Sequence, residues 1–239
     1  MEYPLIDLVT VTGWRSKAFA ICEKLIVNQT YPKDKINWVV VNDDNGETQC
    51  TLNQVKINAP LIWKPGYNTQ RTNWMAALPV IQESKAEYVF PIEDDDYLAP
   101  TYLESYVHLL QMFSIVGEGN SGYYNCTSKS YKEMQNYEHC SLAATGFRKE
   151  ILPIFLEALH SGEKFFDITF WELCKKYKKT SMVFVNKHLS IGMKNLPGRP
   201  GIGSGHNPIG YTSDPAGSKL LEWVGQDMKY YTEFLGKKI

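Results

Sequence analysis

Apolar positions along the first hundred residues switch between strand-like runs and helical spacing, and that alternation predicts an α/β chain. Residues 5–11 (LIDLVTV) read as a strand. Ser16 is placed to cap the helix that follows, in which Phe19, Cys22, Leu25 and Ile26 form a buried stripe ending near Gln29, before Tyr31 and Pro32. Residues 36–41 (INWVVV) are apolar without a break, as a strand covered on both faces of a parallel sheet is. A polar turn at 42–46 closes that run. A third strand is expected at 61–63, a helix at 73–81, and a fourth strand at 88–92 (YVFPI) despite its proline. Pro100 then opens a helix to about Phe113, where its missing N–H would be unpaired in any case.

Past residue 120 the alternation weakens. Strands are expected at 121–125 and 141–145, helices at 148–160 and 167–177, and a last strand at 181–185. Residues 192–213 read as a loop rich in Gly and Pro, and 219–235 carry the periodicity of a C-terminal helix. Strand–helix alternation in the first half favours an open, doubly wound sheet with its site at the carboxyl ends of the strands.

Composition narrows this only slightly. The chain has 239 residues, enough for one substantial core, and one domain spanning 1–239 is expected. A net charge of −1 argues against nucleic acid held by the whole surface, though not against a local basic channel. The apolar runs are too short to span a bilayer and MEYPLIDLV has no basic leader, so the chain reads as soluble and cytoplasmic. Five widely spaced cysteines without a CxxC pair read as reduced thiols.

The run Glu93-Asp94-Asp95-Asp96 carries the most chemical information. Four neighbouring acids repel one another, so placing them at the end of a buried strand calls for solvent or a cation as compensation. Oxygen ligands suit Mg²⁺ or Mn²⁺, whose coordination shell substrate phosphates can complete. A second acidic pair, Asp43-Asp44, ends another apolar strand, and a carboxylate there can accept hydrogen bonds from a ribose or a base N–H.

With these residues the sequence resembles the family 2-type GT-A glycosyltransferases. VTVTGWR, with Thr12, Trp14 and Arg15, is similar to the family's Thr-x-x-Arg segment after the first strand. ICEKLIVNQTYPKDKINWVVVNDD resembles its helix, Gln-x-Tyr-Pro turn and acid-ended second strand, which implies donor recognition by Asp43 and Asp44. NTQRTNWMAAL resembles an Arg-Asn helix start, with Arg71 toward the donor and Asn73 supporting the turn. EYVFPIEDDDYLAPTYL resembles the Asp-x-Asp strand end. Counting back from Leu98 and Pro100 aligns Glu93 and Asp95 with that motif, with Asp95 the principal metal ligand and Asp94 or Asp96 left to share the metal or ribose contacts. EKFFDITFWELCKK resembles the segment of the catalytic carboxylate, of which Asp167 remains.

The resemblance implies a GT-A-type, mostly parallel central sheet flanked by helices, with a less regular acceptor-side half. Residues 1–115 would bind the nucleotide sugar, 116–218 would form the acceptor side and active-site loop, and 219–239 a closing helix. A nucleoside-diphosphate sugar, most simply a UDP-sugar, would give up its sugar with Mn²⁺ or Mg²⁺ bound.

Residues 173–213 contain no acid but seven Lys or Arg. Within them NLPGRPGIGSGHNPIG suits an anion-binding nest, with Lys194 and Arg199 toward phosphate and His206 as a metal or phosphate ligand. Asp167, at the start of a helix, is the candidate general base on the acceptor side. His188 is as well explained at the edge of the core. The acceptor is left open between a saccharide, another hydroxylated molecule and a hydroxymethylated base in DNA. Nucleotidyl transfer and non-catalytic binding of a sugar nucleotide are the competing classes; the position of the Gly-rich segment, far from the first strand, disfavours the former.

Overall fold

The computed structural model describes residues 3–44, 54–59, 69–201 and 203–237. Two sheets organise them. The larger has seven strands, in spatial order β10-β6-β9-β4-β1-β2-β3. These are β1 (Ile6–Thr12), β2 (Ile36–Asn42), β3 (Gln54–Asn58), β4 (Tyr88–Glu93), β6 (Ile115–Gly119), β9 (Thr145–Arg148) and β10 (Ser181–Val185). The pairs β1–β2, β1–β4, β2–β3 and β6–β10 are parallel, while β9 lies antiparallel between β4 and β6. The sheet is therefore mixed and largely parallel, as expected.

A smaller sheet, in order β12-β8-β7-β11-β5, uses β5 (Tyr97–Leu98), β7 (Gly122–Asn125), β8 (Ser130–Glu133), β11 (Ser190–Lys194) and β12 (Thr212–Ser213). It is the less regular half. Among the described residues six α-helices accompany the sheets: α1 (Ser16–Val27), α2 (Gln70–Glu83), α3 (Tyr102–Leu110), α4 (Leu152–His160), α5 (Phe166–Lys176) and α6 (Ser218–Val224).

Side chains of successive strand residues point to opposite faces, and the apolar runs supply a core on each. Leu8, Trp38, Val40, Phe90 and Ile92 pack with α1, α3 and the smaller sheet. Val9, Val39, Val41 and Val89 pack with α2, α4 and α5. Pro91 is accommodated in a central strand because β9 pairs only with Tyr88 and Val89, so no β9 partner is lost at the proline.

Several local expectations need correction. Ser16 is the first residue of α1 rather than its cap, which is Arg15 without a side-chain cap bond. Residues 142–144 form a 3₁₀ turn, and the strand begins at Thr145, where pairing with β6 starts. β3, β5, β6, β8, β11 and β12 were not expected. The C-terminal helix stops at Val224, because Gly225 adopts φ 56°, and two 3₁₀ segments follow. The strand expected at 61–63 and Cys50 lie outside the described residues. Cys22, Cys126, Cys140 and Cys174 are buried thiols, and among the described residues no helix is long and apolar enough to cross a membrane.

The link from β10 to β11 is held by one carboxylate. Glu118 Oε1 accepts the N–H groups of Lys187 and His188 at 2.7 and 2.6 Å, and Oε2 those of Leu189 and Ser190 at 2.8 and 3.2 Å. His188 accordingly serves the core edge, with its ring 5.6 Å from that of Trp223. Glu118→Gln replaces one acceptor oxygen with a donor facing two N–H groups. It is expected to cost about 3 kcal/mol, from the loss of charge-assisted buried bonds. That corresponds to a fall in Tm of roughly 6–12 °C for a chain of this size. Urea or thermal unfolding checks it; a loss below about 1 kcal/mol would mean that the loop is held by something else.

Candidate active site

Parallel pairing in register aligns the carboxyl ends of the three central strands. Thr12 lies opposite Asn42, and Val11 opposite Glu93. The chain segments leaving β1, β2 and β4 thus emerge side by side, each carrying polar or charged residues. Gly13 is fixed by this crowding: a Cβ there would sit 1.8 Å from Asp43 Oδ1. Trp14 follows with φ 54°, a left-handed conformation costing a bulky residue on the order of 1 kcal/mol or more. Its N–H donates to Asp44 Oδ2, which holds it there.

Asp43 is fully buried. Arg199 donates to both of its oxygens, at 2.7 and 3.0 Å, and Asn73 Nδ2 adds a bond of 2.8 Å to Oδ2. The same guanidinium donates to Thr69 Oγ1 at 3.1 Å and lies 5.5 Å from the Trp14 ring centroid. Arg199 also fixes its own segment, since its carbonyl accepts Arg15 Nε–H at 2.7 Å. A planar fork matched to a carboxylate is the geometry in which Arg pairs best.

The turn 93–96 is more densely charged. Arg15 Nη1 lies 2.8 Å from both Asp94 Oδ1 and Asp95 Oδ2, and Thr12 Oγ1 donates to Asp94 Oδ2 at 2.7 Å. Gln70 Nε2 donates to Glu93 Oε1 at 3.0 Å. Lys194 Nζ and the Met193 N–H both reach Asp96 Oδ1 at 3.1 Å. Four carboxylates thus face two direct cations, because Arg199 is taken up by Asp43.

The titration of the cluster reflects that imbalance. Burial raises Glu93 and pushes Asp94 up to about 6, against the pull of Lys194 on the first and Arg15 on the second. Burial also holds Asp96 well above the ordinary carboxylate range despite Lys194. Asp95 alone is lowered, Arg15 and then Lys194 outweighing the burial that would raise it. Burial alone would lower Lys194, yet Asp96, Asp95 and Glu93 together keep it firmly protonated.

Glu93, Asp95 and Asp96 each offer an oxygen, and these lie within 4.8 Å of one another. An all-oxygen set of that compactness, with uncompensated negative charge, fits a hard divalent cation such as Mn²⁺ or Mg²⁺.

These groups line a cleft of about 500 Å³. Thr12, Arg15, the acids 93–96, Lys194, Arg199 and His206 line it together with Phe165, Asp167 and Ile168. Asp167 lies in the first turn of α5, where burial raises its pKa against the N–H of Ile168. Burial, with Lys194 beside it, depresses His206 to about 4, so its ring is neutral near pH 7. His206 Nδ1 lies 3.1 Å from Asn195 Oδ1.

The structure brings Thr12, Arg15, Asp94, Asp95, Glu93, Asp167, Lys194, Arg199 and His206 to one cleft, but several do other work than expected. Arg199 pairs with Asp43 rather than presenting a free fork for phosphate, and Asp43 is fully buried and accepts from Arg199 and Asn73. Arg71 turns away and donates to the Glu163 carbonyl. His206 lies outside the oxygen trio, whose third member is Asp96. Gln70 and the second role of Asn73 were missed; both follow from the start of α2 facing the strand ends, which spacing alone does not reveal.

No protein-family model and no curated protein matches the sequence. Solved structures do match the fold. S. aureus TarS aligns with TM-score 0.55 and 13% identity over 79% of this chain and 36% of its own. The mannosyltransferase PcManGT from Pyrobaculum calidifontis, in complex with GDP-Man and Mn²⁺, aligns with TM-score 0.54 and 14% identity over 82% of this chain and 58% of its own. TarS 1–349 in complex with UDP-GlcNAc gives TM-score 0.53 and 12% identity over 81% and 59%. The chain spans between about a third and three-fifths of the length of these proteins. The fold is that of the GT-A glycosyltransferases.

Proposed function

From the GT-A fold and the acid-lined cleft at its strand ends, we propose that this chain is a metal-dependent glycosyltransferase. It moves a sugar from a nucleoside diphosphate, a UDP-sugar as the first choice, to an acceptor hydroxyl with inversion. The observation that carries the reading is the compact trio Glu93, Asp95 and Asp96 lining the same cleft as Asp167.

A Mn²⁺ or Mg²⁺ ion held by that trio would supply charge stabilisation to the departing diphosphate. Arg15 holds Asp94 and Asp95 in place through its two 2.8 Å contacts, so the ligand oxygens are pre-positioned. Asp167 takes the proton of the acceptor hydroxyl as that oxygen bonds to the anomeric carbon. The bond from that carbon to the diphosphate oxygen breaks, and the nucleoside diphosphate leaves on the opposite face. A base pKa raised by burial brings Asp167 nearer the operating range. In this reading residues 1–115 serve the donor and 116–218 the acceptor.

The complexes of similar folds with UDP-GlcNAc and with GDP-Man and Mn²⁺ make UDP- and GDP-sugars the donors to compare first. Incubation of the chain with each sugar nucleotide, Mn²⁺ and saccharide acceptors is expected to release free nucleoside diphosphate from one of them. Release of pyrophosphate from a nucleoside triphosphate, with no diphosphate from any sugar nucleotide, would replace this reading with nucleotidyl transfer.

A further inference from the structure

Lys194 has a setting that phosphate binding alone does not explain. It is 7% exposed, and its Nζ lies 3.1 Å from Asp96 Oδ1, on one of the three carboxylates that fit a divalent ion. On its other side the Tyr123 ring centroid is 4.8 Å away, a cation–π contact. The Gly205 backbone closes over that ring so tightly that a Cβ there would lie 2.5 Å from it. The ammonium is therefore seated in a built place against the trio rather than extended into the cleft.

We propose that the Lys194 ammonium is a resident cation of the acid trio, sharing Asp96 with the divalent ion so that the ion binds tightly only together with a diphosphate. This rests on the metal-dependent reading above and goes beyond it, because it assigns control of metal loading to one positioning residue. The physical ground is repulsion. An ammonium and a divalent ion drawn to the same carboxylate oppose each other strongly in a buried, low-dielectric site. A diphosphate changes the balance, since its oxygens accept hydrogen bonds from an ammonium that carries three donors on a flexible stem. Metal and diphosphate then favour each other's binding, and by linkage the coupling is reciprocal.

The test measures Mn²⁺ affinity of the full chain by electron paramagnetic resonance, for the parent, Lys194→Met and Lys194→Gln. Mn²⁺ alone is expected to bind at least tenfold tighter to both variants. The preformed Mn²⁺–pyrophosphate complex, measured by calorimetry, is expected to bind both at least tenfold more weakly. Loss of a merely structural lysine would weaken both probes, so the opposite signs are the signature. Lys194→Gln keeps a hydrogen-bond donor toward Asp96 and decides the matter if the Met variant does not fold.

Mn²⁺ affinity unchanged or reduced in the variants overturns the inference. If that happens while Mn²⁺–pyrophosphate binds the parent and is lost in Asp95→Asn, the metal-dependent reading stands and only the role of Lys194 falls. If neither probe binds the parent or the variants, both fall together.

Discussion

Asp95→Asn is expected to lower sugar transfer roughly a thousandfold, which corresponds to the several kcal/mol of charge stabilisation that a bound metal contributes to a departing phosphate. The same substitution should cost the unliganded chain only a little stability near neutral pH, because Arg15 and Lys194 outweigh burial to lower the Asp95 carboxyl on folding and so make its charge modestly stabilising. Asp95 sits among three other carboxylates with Arg15 and Lys194 as the direct cations. Removing that charge gives up the 2.8 Å contact with Arg15, but Arg15 keeps its bond to Asp94, which limits the loss. A loss of activity far larger than the loss of stability marks a residue placed for a ligand more than for the fold. Turnover kinetics with Mn²⁺, set beside melting of the apo chain, check both halves. Transfer within tenfold of the parent would remove Asp95 from the metal site.

Asp167→Asn should lower turnover by about 10²–10⁴-fold, the contribution typical of a positioned general base, with donor affinity unchanged. The pH profile carries the sign. The base acts when unprotonated, so parental activity should fall as pH drops through its pKa. Burial places that pKa above the ordinary aspartate value of 3.8. For stability the sign is opposite. A carboxyl whose pKa is raised on folding binds more protons folded than unfolded, so stability falls as pH rises from 3.8 through the raised value. The Asn variant, without that charge, should therefore be at least as stable as the parent at neutral pH. An acid limb that persists unchanged in a still-active variant would assign the titration to another group.

Much of the first half was legible because its strands are long apolar runs and its acids directly follow them. LIDLVTV and INWVVV allow little other reading, and the in-register pairing of their strands brings Asp43 and Glu93 to the same sheet edge. The second half was harder for physical reasons. β6 (IVGEG) and β11 (SIGMK) are diluted by glycine and charge, and their stability comes from sheet neighbours and the Glu118 carboxylate. The site shows the same limit. The family resemblance picked out Arg15 and Asp95, and the basic Gly-rich stretch Lys194 and Arg199, but the Arg199–Asp43 pair joins residues far apart in sequence and could not be read from either neighbourhood. By type His206 suits a metal or a phosphate. Asp96 completes the trio instead because the turn after β4 folds its carboxylate back beside that of Glu93.

Thermal unfolding of the full chain with Mn²⁺, with UDP or GDP, and with both together tests the central claim most directly. One nucleoside diphosphate should raise Tm by about 5–10 °C when Mn²⁺ is present at saturating ligand, and far less in EDTA. Identical melting curves with and without every nucleotide and metal combination would contradict a diphosphate site built on Glu93, Asp95 and Asp96.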